Sequence, residues 1–171
     1  MRKIISLLAI SVFVATSSLF AQKYAFVDTE YILSNIPSYK AAQDELEKLA
    51  EEWKAEVETK YNEIDKMYRS YQAEKVLLSQ DIKAKREEEI IEKEREAKKL
   101  QNEYFGQEGL LYKKREEKIK PIQEEIYSAI EELSNERGYA IIFDTSSGPT
   151  ILYSNPRYDV SDDVLTRLGY K

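Results

Sequence analysis

The side chains that could do chemistry in this 171-residue chain are carboxylates, amines, hydroxyls and phenols, because it contains neither histidine nor cysteine. Histidine is the usual general base near neutral pH and the commonest metal ligand, and a thiolate is a strong nucleophile. A serine without a histidine partner also lacks the base that usually activates it. A catalytic or metal site would therefore have to be built from carboxylates.

The densest run of carboxylates is Glu87, Glu88 and Glu89. With 3.6 residues per helical turn, three consecutive side chains point in different directions around the helix axis. We interpret them as a solvated helix face rather than as a metal or acid–base site. The sequence also has no glycine-rich phosphate loop and no EF-hand loop. It therefore predicts no enzymatic activity, no cofactor and no metal.

The first 21 residues have the layout of a secretory signal peptide. Arg2 and Lys3 form its positive start, residues 4–15 form an apolar stretch of twelve, and Ala21 ends the segment before the expected cleavage site. This stretch is too short for an ordinary transmembrane helix, and an uncleaved membrane anchor is the alternative interpretation. We expect a mature protein that is periplasmic and soluble.

The mature chain, residues 22–171, has the length of one domain and is acidic. Without Arg2 and Lys3 it carries 24 basic and 32 acidic residues, a net charge of −8. Such a chain is a poor partner for nucleic acid or anionic lipid, because like charges repel. The sequence therefore predicts that it binds no nucleic acid.

The segment 38–137 has the composition of long helices. Between Lys40 and Arg137, 46 of 98 residues are charged, and only Gly106, Gly109 and Pro121 disfavour a helix. Because a charged segment with so few helix breakers favours extended helix or coiled coil, we predict helical arms. The two glycines and the proline mark expected bends.

An apolar stripe runs along the first arm. Its spacing averages about 3.6 residues, which indicates a helix face packed against a partner helix. The stripe consists of Tyr39, Ala42, Leu46, Leu49, Trp53, Val57, Tyr61, Ile64, Tyr68 and Tyr71. In the second arm, residues 83–99 include only four apolar side chains, so we expect little burial there.

Short β-rich runs flank the arms. Residues 24–27 precede them, and residues 139–144 and 150–153 follow Gly138 as a predicted hairpin with a five-residue turn. The first strand can pair only with this hairpin, so the helical segment must leave the sheet and return as two arms. We expect the apex near residues 73–81.

Three helix ends are also predicted. Ser79 is a plausible N-cap for the returning arm, and Ser161 for a short C-terminal helix. Gly138 suits the left-handed position that ends the second arm.

Since the β part comprises only about fifty residues in two pieces, near the lower limit for an independent core, we expect an obligate oligomer. Neighbouring subunits would cover the open strand edges.

These features resemble one known family. The signal peptide, the segment "AFVDTEYILSNIPSYKAAQ", the charged helical hairpin and the segment "ERGYAIIFDTSSGPTILYSNPRYDVSDDVLTRL" are together similar to the OmpH/Skp family of periplasmic chaperones. The resemblance extends over the whole mature chain and is strongest at its two ends. The arm segment "YFGQEGLLYKKREEKIKPIQ" is similar to the version of Bacteroidetes-like bacteria.

The resemblance implies an α+β fold. A long α-helical hairpin, the coiled-coil arms, would project from a small β body that is completed by trimerisation, with a short C-terminal helix. Residues 1–21 would be the signal peptide, residues 22–37 and 138–171 the β body and oligomerisation region, and residues 38–137 the arms. A homotrimer of this kind would hold unfolded outer-membrane proteins in a cavity between its arms, without ATP.

One departure from the family concerns charge. Its best-known members are strongly basic, whereas this mature chain has a net charge of −8. This puts binding to lipopolysaccharide or to a membrane surface in doubt. We expect capture of clients to depend more on apolar and aromatic contacts.

Two groups of apolar residues are candidate binding sites. The oligomerisation candidates are Phe26, Ile141, Phe143, Ile151 and Tyr153. The candidates for contact with clients are Met67, Tyr68, Tyr71 and Leu77, near the expected apex, although the apical side chains could instead pack within the hairpin. The alternative function is a structural or adaptor coiled-coil protein of the cell envelope, which would use the arms as a spacer.

Overall fold

The computed structural model describes residues 22–146, 148 and 151–171, and the predicted signal peptide lies outside them. In chain order the elements are β1 (Lys23–Val27), α1 (Thr29–Ser34), α2 (Pro37–Glu74), α3 (Gln80–Phe105), α4 (Leu110–Arg137), β2 (Tyr139–Asp144), a 3-10 helix (Pro156–Tyr158) and α5 (Ser161–Arg167). This arrangement confirms the predicted α+β fold, a long helical hairpin on a small β body with a short C-terminal helix.

The sheet joins the two ends of the chain. β1 and β2 pair in parallel, with Phe26 opposite Phe143. Because parallel strands need a long crossover connection, everything from α1 to α4 serves as that crossover. The pairing confirms that the first strand joins the strand after Gly138.

The predicted β hairpin is wrong for residues 151–153, which lie outside any strand. After β2 the chain passes to the far edge of β1, where the Val160 N–H donates to the Phe26 carbonyl at 2.9 Å. Phe26 and Asp159 form an isolated parallel bridge there. Residues 151–153 belong to this passage and make no strand with β2.

The main core lies where the sheet, the bases of the arms and α5 meet. Its buried members come from β1, α1 and the loop after it, α4, and the C-terminal segment. They are Ala25, Val27, Ile32, Ile36, Ile122, Ile126, Ala129, Leu133, Val160, Val164 and Leu165. Because elements before and after the arms both contribute, the core holds the base of the first arm next to the base of the second arm.

The arms turn between Glu74 and Gln80, which confirms the predicted apex. Ser79 caps α3 by accepting the Ile82 N–H at 3.5 Å, as predicted. Gly138 adopts the expected left-handed conformation, with φ of 70°, at the end of α4. The 38 residues of α2 correspond to a helix about 57 Å long.

The returning arm is interrupted between Phe105 and Leu110, where two glycines had marked a bend. A Cβ atom at Gly106 would collide with the Asn102 carbonyl oxygen, so this close turn requires glycine. Pro121, in contrast, lies inside α4, which continues through it.

Ser161 is the first residue of α5 rather than its N-cap, which is Val160, so that prediction is wrong. The Ser161 side chain has another role. Its hydroxyl donates to Asp159 Oδ1 at 2.6 Å and accepts the Asp28 N–H at 2.9 Å. The hydrogen bond from the Asp28 N–H to the Ser161 hydroxyl connects the start of α5 to the residue that follows β1.

Asp144, the last residue of β2, binds the start of α1. It accepts the Thr29 hydroxyl at 2.7 Å, the Thr29 N–H at 3.2 Å and the Ser146 N–H at 3.0 Å. Partial burial by itself would raise the pKa of Asp144, but the hydrogen bonds from Thr29 and Ser146 outweigh burial and lower it to about 2. The carboxylate therefore stabilises the β body in its charged form.

We expect Asp144→Asn to lower the free energy of unfolding at neutral pH by about 1–2 kcal/mol, because a charged acceptor of several hydrogen bonds is lost. The pKa of Asp144 in the folded protein lies below its ordinary value of 3.8, so this contribution is complete above about pH 4 and disappears as the pH falls towards about 2. Urea unfolding of both proteins across this range measures it. Asp65→Asn, in an exposed pair with Arg69, is the control and should change little. A destabilisation that is independent of pH would contradict the assignment.

Candidate functional site

The face of the sheet that points away from the core is apolar and exposed. Ala25 and Val27 enter the core, so the alternate residues Tyr24 and Phe26 face the other way. The strand register places Ile141 beside Tyr24 and Phe143 beside Phe26. We call these four residues the outer sheet face.

Aromatic contacts organise the outer sheet face but do not cover it. The Phe26 and Phe143 rings lie 5.8 Å apart, and Tyr24 lies 6.3 Å from the ring of Tyr158. Tyr24, Ile141 and Phe143 remain between 42% and 55% exposed. A single chain thus leaves an apolar surface in water, which is typical of an interaction site.

The structure brings three of the five oligomerisation candidates together on this face: Phe26, Ile141 and Phe143. Ile151 is partly buried and Tyr153 is exposed, and both lie in the segment that follows β2. That segment also carries the exposed Leu152. These last residues lie outside the two-stranded sheet.

The arms pack through one apolar seam. From the predicted stripe, the residues Ala42, Leu46, Val57, Ile64 and Tyr71 are buried. Their partners on the returning arm include Ile90, Ala97 and Ile119. Tyr61 and Tyr68 of the stripe stay exposed.

Sequence reasoning missed the distal part of the seam on the returning arm, where it expected little burial. Ile90, Ala97, Tyr104 and Leu111 recur every seven residues, and all four are buried or partly buried. A single apolar residue per heptad is easily overlooked within a highly charged segment. It was nevertheless the available signal, because positions seven apart lie on the same helix face.

Tyrosine side chains also connect the two arms through hydrogen bonds. The Tyr61 hydroxyl donates to Gln101 Oε1 at 3.1 Å, and the Tyr104 hydroxyl donates to Glu56 Oε2 at 2.7 Å. The Tyr104 ring stacks on Trp53 with centroids 4.9 Å apart. Because these contacts require a particular axial alignment of the two helices, they fix the register of the arms.

Tyr71 lies nearest the apex in this series. It is 3% exposed, and its hydroxyl donates to Glu87 on the returning helix. Met67 packs against the same cluster. Two of the four candidates for client contact, Met67 and Tyr71, are therefore part of the arm interior.

The other two candidates, Tyr68 and Leu77, are exposed. Leu77 and its neighbour Val76, which the sequence analysis did not single out, are 87% and 89% exposed in the apical turn. Ile82 and Ile91 add exposed aliphatic surface nearby on α3. The distal arms thus present several separate apolar side chains to solvent.

Within the described part of the chain, no group of three or more acidic side chains is arranged to hold a metal ion. No helix among those residues has the length and apolar character to cross a membrane.

Comparison with known proteins places this architecture. A family model described as "Outer membrane protein (OmpH-like)" matches residues 23–168. The chain belongs to the OmpH-like family. The match includes both strands, all of the arms and α5, so the OmpH-like assignment covers the β body and the hairpin alike.

One solved structure similar to this OmpH-like chain is a candidate outer membrane chaperone (OmpH-like) from Caulobacter crescentus CB15. The two share 14% sequence identity with a TM-score of 0.65, and the alignment covers 86% of this chain and 83% of that chain. At this identity the similarity shows a common fold. No curated protein sequence matches the chain.

In the OmpH-like chain the hydrogen bond to Glu87, together with burial, raises the pKa of Tyr71 to about 12. Because this value lies above the ordinary 10.0, Tyr71 stabilises the arms fully below pH 10, and the contribution is lost as the pH rises towards about 12. We expect Tyr71→Phe to remove the last tyrosine to ionise in an absorbance titration. The exposed Tyr68→Phe variant is the control and should leave that last step intact.

Proposed function

We propose that this OmpH-like protein is a periplasmic holdase chaperone that binds unfolded outer-membrane proteins between its helical arms and prevents their aggregation. The observation that carries this proposal is the exposed apolar surface of the distal arms, above all Val76 and Leu77. Family membership and the fold shared with a candidate outer membrane chaperone support it.

The distal position of these exposed side chains favours a role in binding rather than a role in stabilising the fold. They lie beyond the far end of α2, about 57 Å along the hairpin from the main core. At that distance they cannot contribute to the core, and each remains separately exposed rather than gathered in a shaped pocket. Such a surface suits many weak contacts with an unfolded chain, without nucleotide or metal.

We propose that the outer sheet face assembles the protein into a homotrimer. The exposed residues Tyr24, Ile141 and Phe143 support self-association, because burying them together removes apolar area from water. Closing the sheets into a ring also covers strand edges that would otherwise recruit other chains. The arms of the three subunits would then enclose a common cavity.

The beginning of the chain supports export. Arg2, Lys3 and the apolar stretch after them favour a signal peptide, so the proposed site of action is the periplasm. The net charge of −8 supports holding through apolar and aromatic contacts, and gives no support for nucleic acid, lipopolysaccharide or membrane lipid as partners.

Phe143→Asp should dissociate the oligomer, because it places a charge in the proposed apolar interface at a cost of several kcal/mol. Ile91→Asp, at an exposed site on α3, is the matched control and should leave the assembly unchanged. Light scattering at micromolar protein gives the mass of each variant. If the wild-type protein is a stable folded monomer under these conditions, the assembly proposal is wrong.

The proposed holdase activity is tested with an outer-membrane protein that is diluted from urea. Its aggregation is followed by turbidity. Equimolar oligomer should suppress aggregation without ATP. The triple variant Tyr68→Ser, Val76→Ser and Leu77→Ser should suppress it several-fold less, because the exposed apolar contacts are lost while the buried Tyr71 is kept.

The matched control replaces the exposed polar residues Asn62, Gln72 and Gln80 by serine, and it should hold as well as the wild type. If the wild-type oligomer leaves aggregation unchanged, the chaperone proposal fails and an adaptor role in the envelope becomes the better explanation.

A further inference from the structure

The tip of the arms contains a long stretch that buries almost nothing. Tyr71 is the last buried residue of α2, and Ile90 is the first buried residue of α3. Residues 72–89 lie between them, and every one of these residues is exposed or half-buried. Within the arms, residues 38–137, this is the longest run without a buried residue. We call residues 72–89 the apical segment.

Few side-chain contacts hold the apical segment in place. Glu87 accepts a hydrogen bond from the Tyr71 hydroxyl and lies 4.0 Å from the Lys75 amine. Arg86 pairs with Glu74 at 3.8 Å. The side chains of both ion pairs are between 42% and 51% exposed. Such surface pairs contribute little to stability, because water and salt screen them.

The turn at the centre of the apical segment is also loosely packed. Leu78 packs against the buried residues of the distal arms, whereas Val76 and Leu77 are 89% and 87% exposed. The Ser79 hydroxyl, which caps α3, accepts the Ile82 N–H at 3.5 Å. Opening of the apical segment therefore removes little apolar burial. Its free energy should lie near the low end of the range for local unfolding.

Low local stability matters for proteolysis. An endopeptidase binds its substrate as an extended segment, so a bond within folded structure is cut only after local opening. Exposed tips between packed elements are accordingly preferred sites of proteolytic cleavage. The apical turn has this position, and it presents Val76, Leu77 and Leu78 in succession. Consecutive aliphatic side chains suit an enzyme with an apolar specificity pocket.

We propose that the apical turn is a cleavage site for an endopeptidase that recognises aliphatic side chains. The cut lies at one of the peptide bonds between Lys75 and Leu78. Water adds across this bond: its hydroxyl goes to the carbonyl carbon and its proton goes to the departing nitrogen. The first half of the chain then ends in a new carboxylate, and the second half begins with a new ammonium group.

The two halves should remain together after the cut. The half before the apical turn supplies Ala25, Val27 and Ile32 to the main core, and the half after it supplies Leu133 and Val164. These contacts do not involve the apical segment. Cleavage therefore opens each arm at its tip and leaves the β body intact.

Cleavage would also change the surface proposed to bind clients, a consequence that rests on the proposed chaperone function. The new carboxylate and ammonium groups would lie beside Val76 and Leu77. Because a charge must lose its hydration to enter an apolar contact, these groups oppose binding there. The cut would thus weaken holding by the arms without releasing the subunit.

Two other exposed apolar positions are less suited to cleavage. Ile91 is 54% exposed, but it lies within α3 directly after the buried Ile90. Residues 151–153 are irregular, but Val160 follows them closely and its N–H donates to the Phe26 carbonyl at 2.9 Å. Opening at either position is limited by these contacts. We therefore expect the apical turn to be cut first.

Limited digestion of the full-length mature protein with thermolysin, which cuts before aliphatic residues, tests the site. Mass spectrometry should identify the first products as complementary fragments that meet between Lys75 and Leu78. Light scattering should show that the cut protein keeps the mass of the uncut protein. A first cut elsewhere, no cut, or separation of the halves overturns the proposal.

Side-chain recognition is tested with the triple variant Val76→Asn, Leu77→Asn and Leu78→Asn. It should be cut about tenfold more slowly, because the apolar pocket of the protease loses its ligand. Loss of the packing of Leu78 favours opening, so slower cleavage cannot come from a tighter turn. Ile91→Asn, at an exposed position within α3, is the matched control and should be cut at the wild-type rate. Equal rates for the wild type and the triple variant would contradict the assignment.

The urea dependence of cleavage separates local from global opening. Opening of the apical segment exposes little new surface, so low urea should hardly change the rate. A rate that rises in parallel with global unfolding would show that the folded arms resist cleavage, and the proposal would be wrong. Since no client is present, such a failure leaves the holding assay unaffected.

Discussion

The parallel pairing of β1 with β2 is the constraint on which the rest of the structure depends. Parallel strands cannot be joined by a tight turn, so the chain between them must travel out and return. In this chain the crossover consists mainly of the two arms. The core, which includes Val27, Leu133 and Val164, holds the start of the first arm next to the end of the second arm. The hydrogen bonds from Thr29 to Asp144 fasten the same junction from its polar side.

The arms illustrate how little burial a helical hairpin needs when its register is fixed by specific contacts. Two helices can bury only one face each, and the seam includes a residue as small as Ala97. Tyr61, Tyr71 and Tyr104 compensate by reaching across the gap to polar partners. The remaining surface of the arms carries charged side chains and exposed apolar side chains such as Val76 and Leu77.

Much of this architecture follows from local signals. The scarcity of glycine and proline predicted the arms, Ser79 and Gly138 predicted helix ends, and the stripe from Tyr39 to Tyr71 predicted the seam. Local signals failed where a distant partner took over a side chain or a strand edge. Ser161 binds Asp159 and the Asp28 backbone instead of capping α5. Asp159 and Val160 lie against Phe26 of β1, whereas residues 151–153 form no hairpin strand with β2.

The sequence by itself determined the helical hairpin, its apex and the acidic charge, because these depend on composition and on the order of neighbouring residues. Only the tertiary structure decided which apolar residues are exposed. Met67, Tyr71 and Leu77 are all large, mainly hydrocarbon side chains, yet the first two pack between the helices while Leu77 lies in the turn. Likewise, only the strand register places Phe26 beside Phe143 on one exposed face, since the two lie more than a hundred residues apart in the chain.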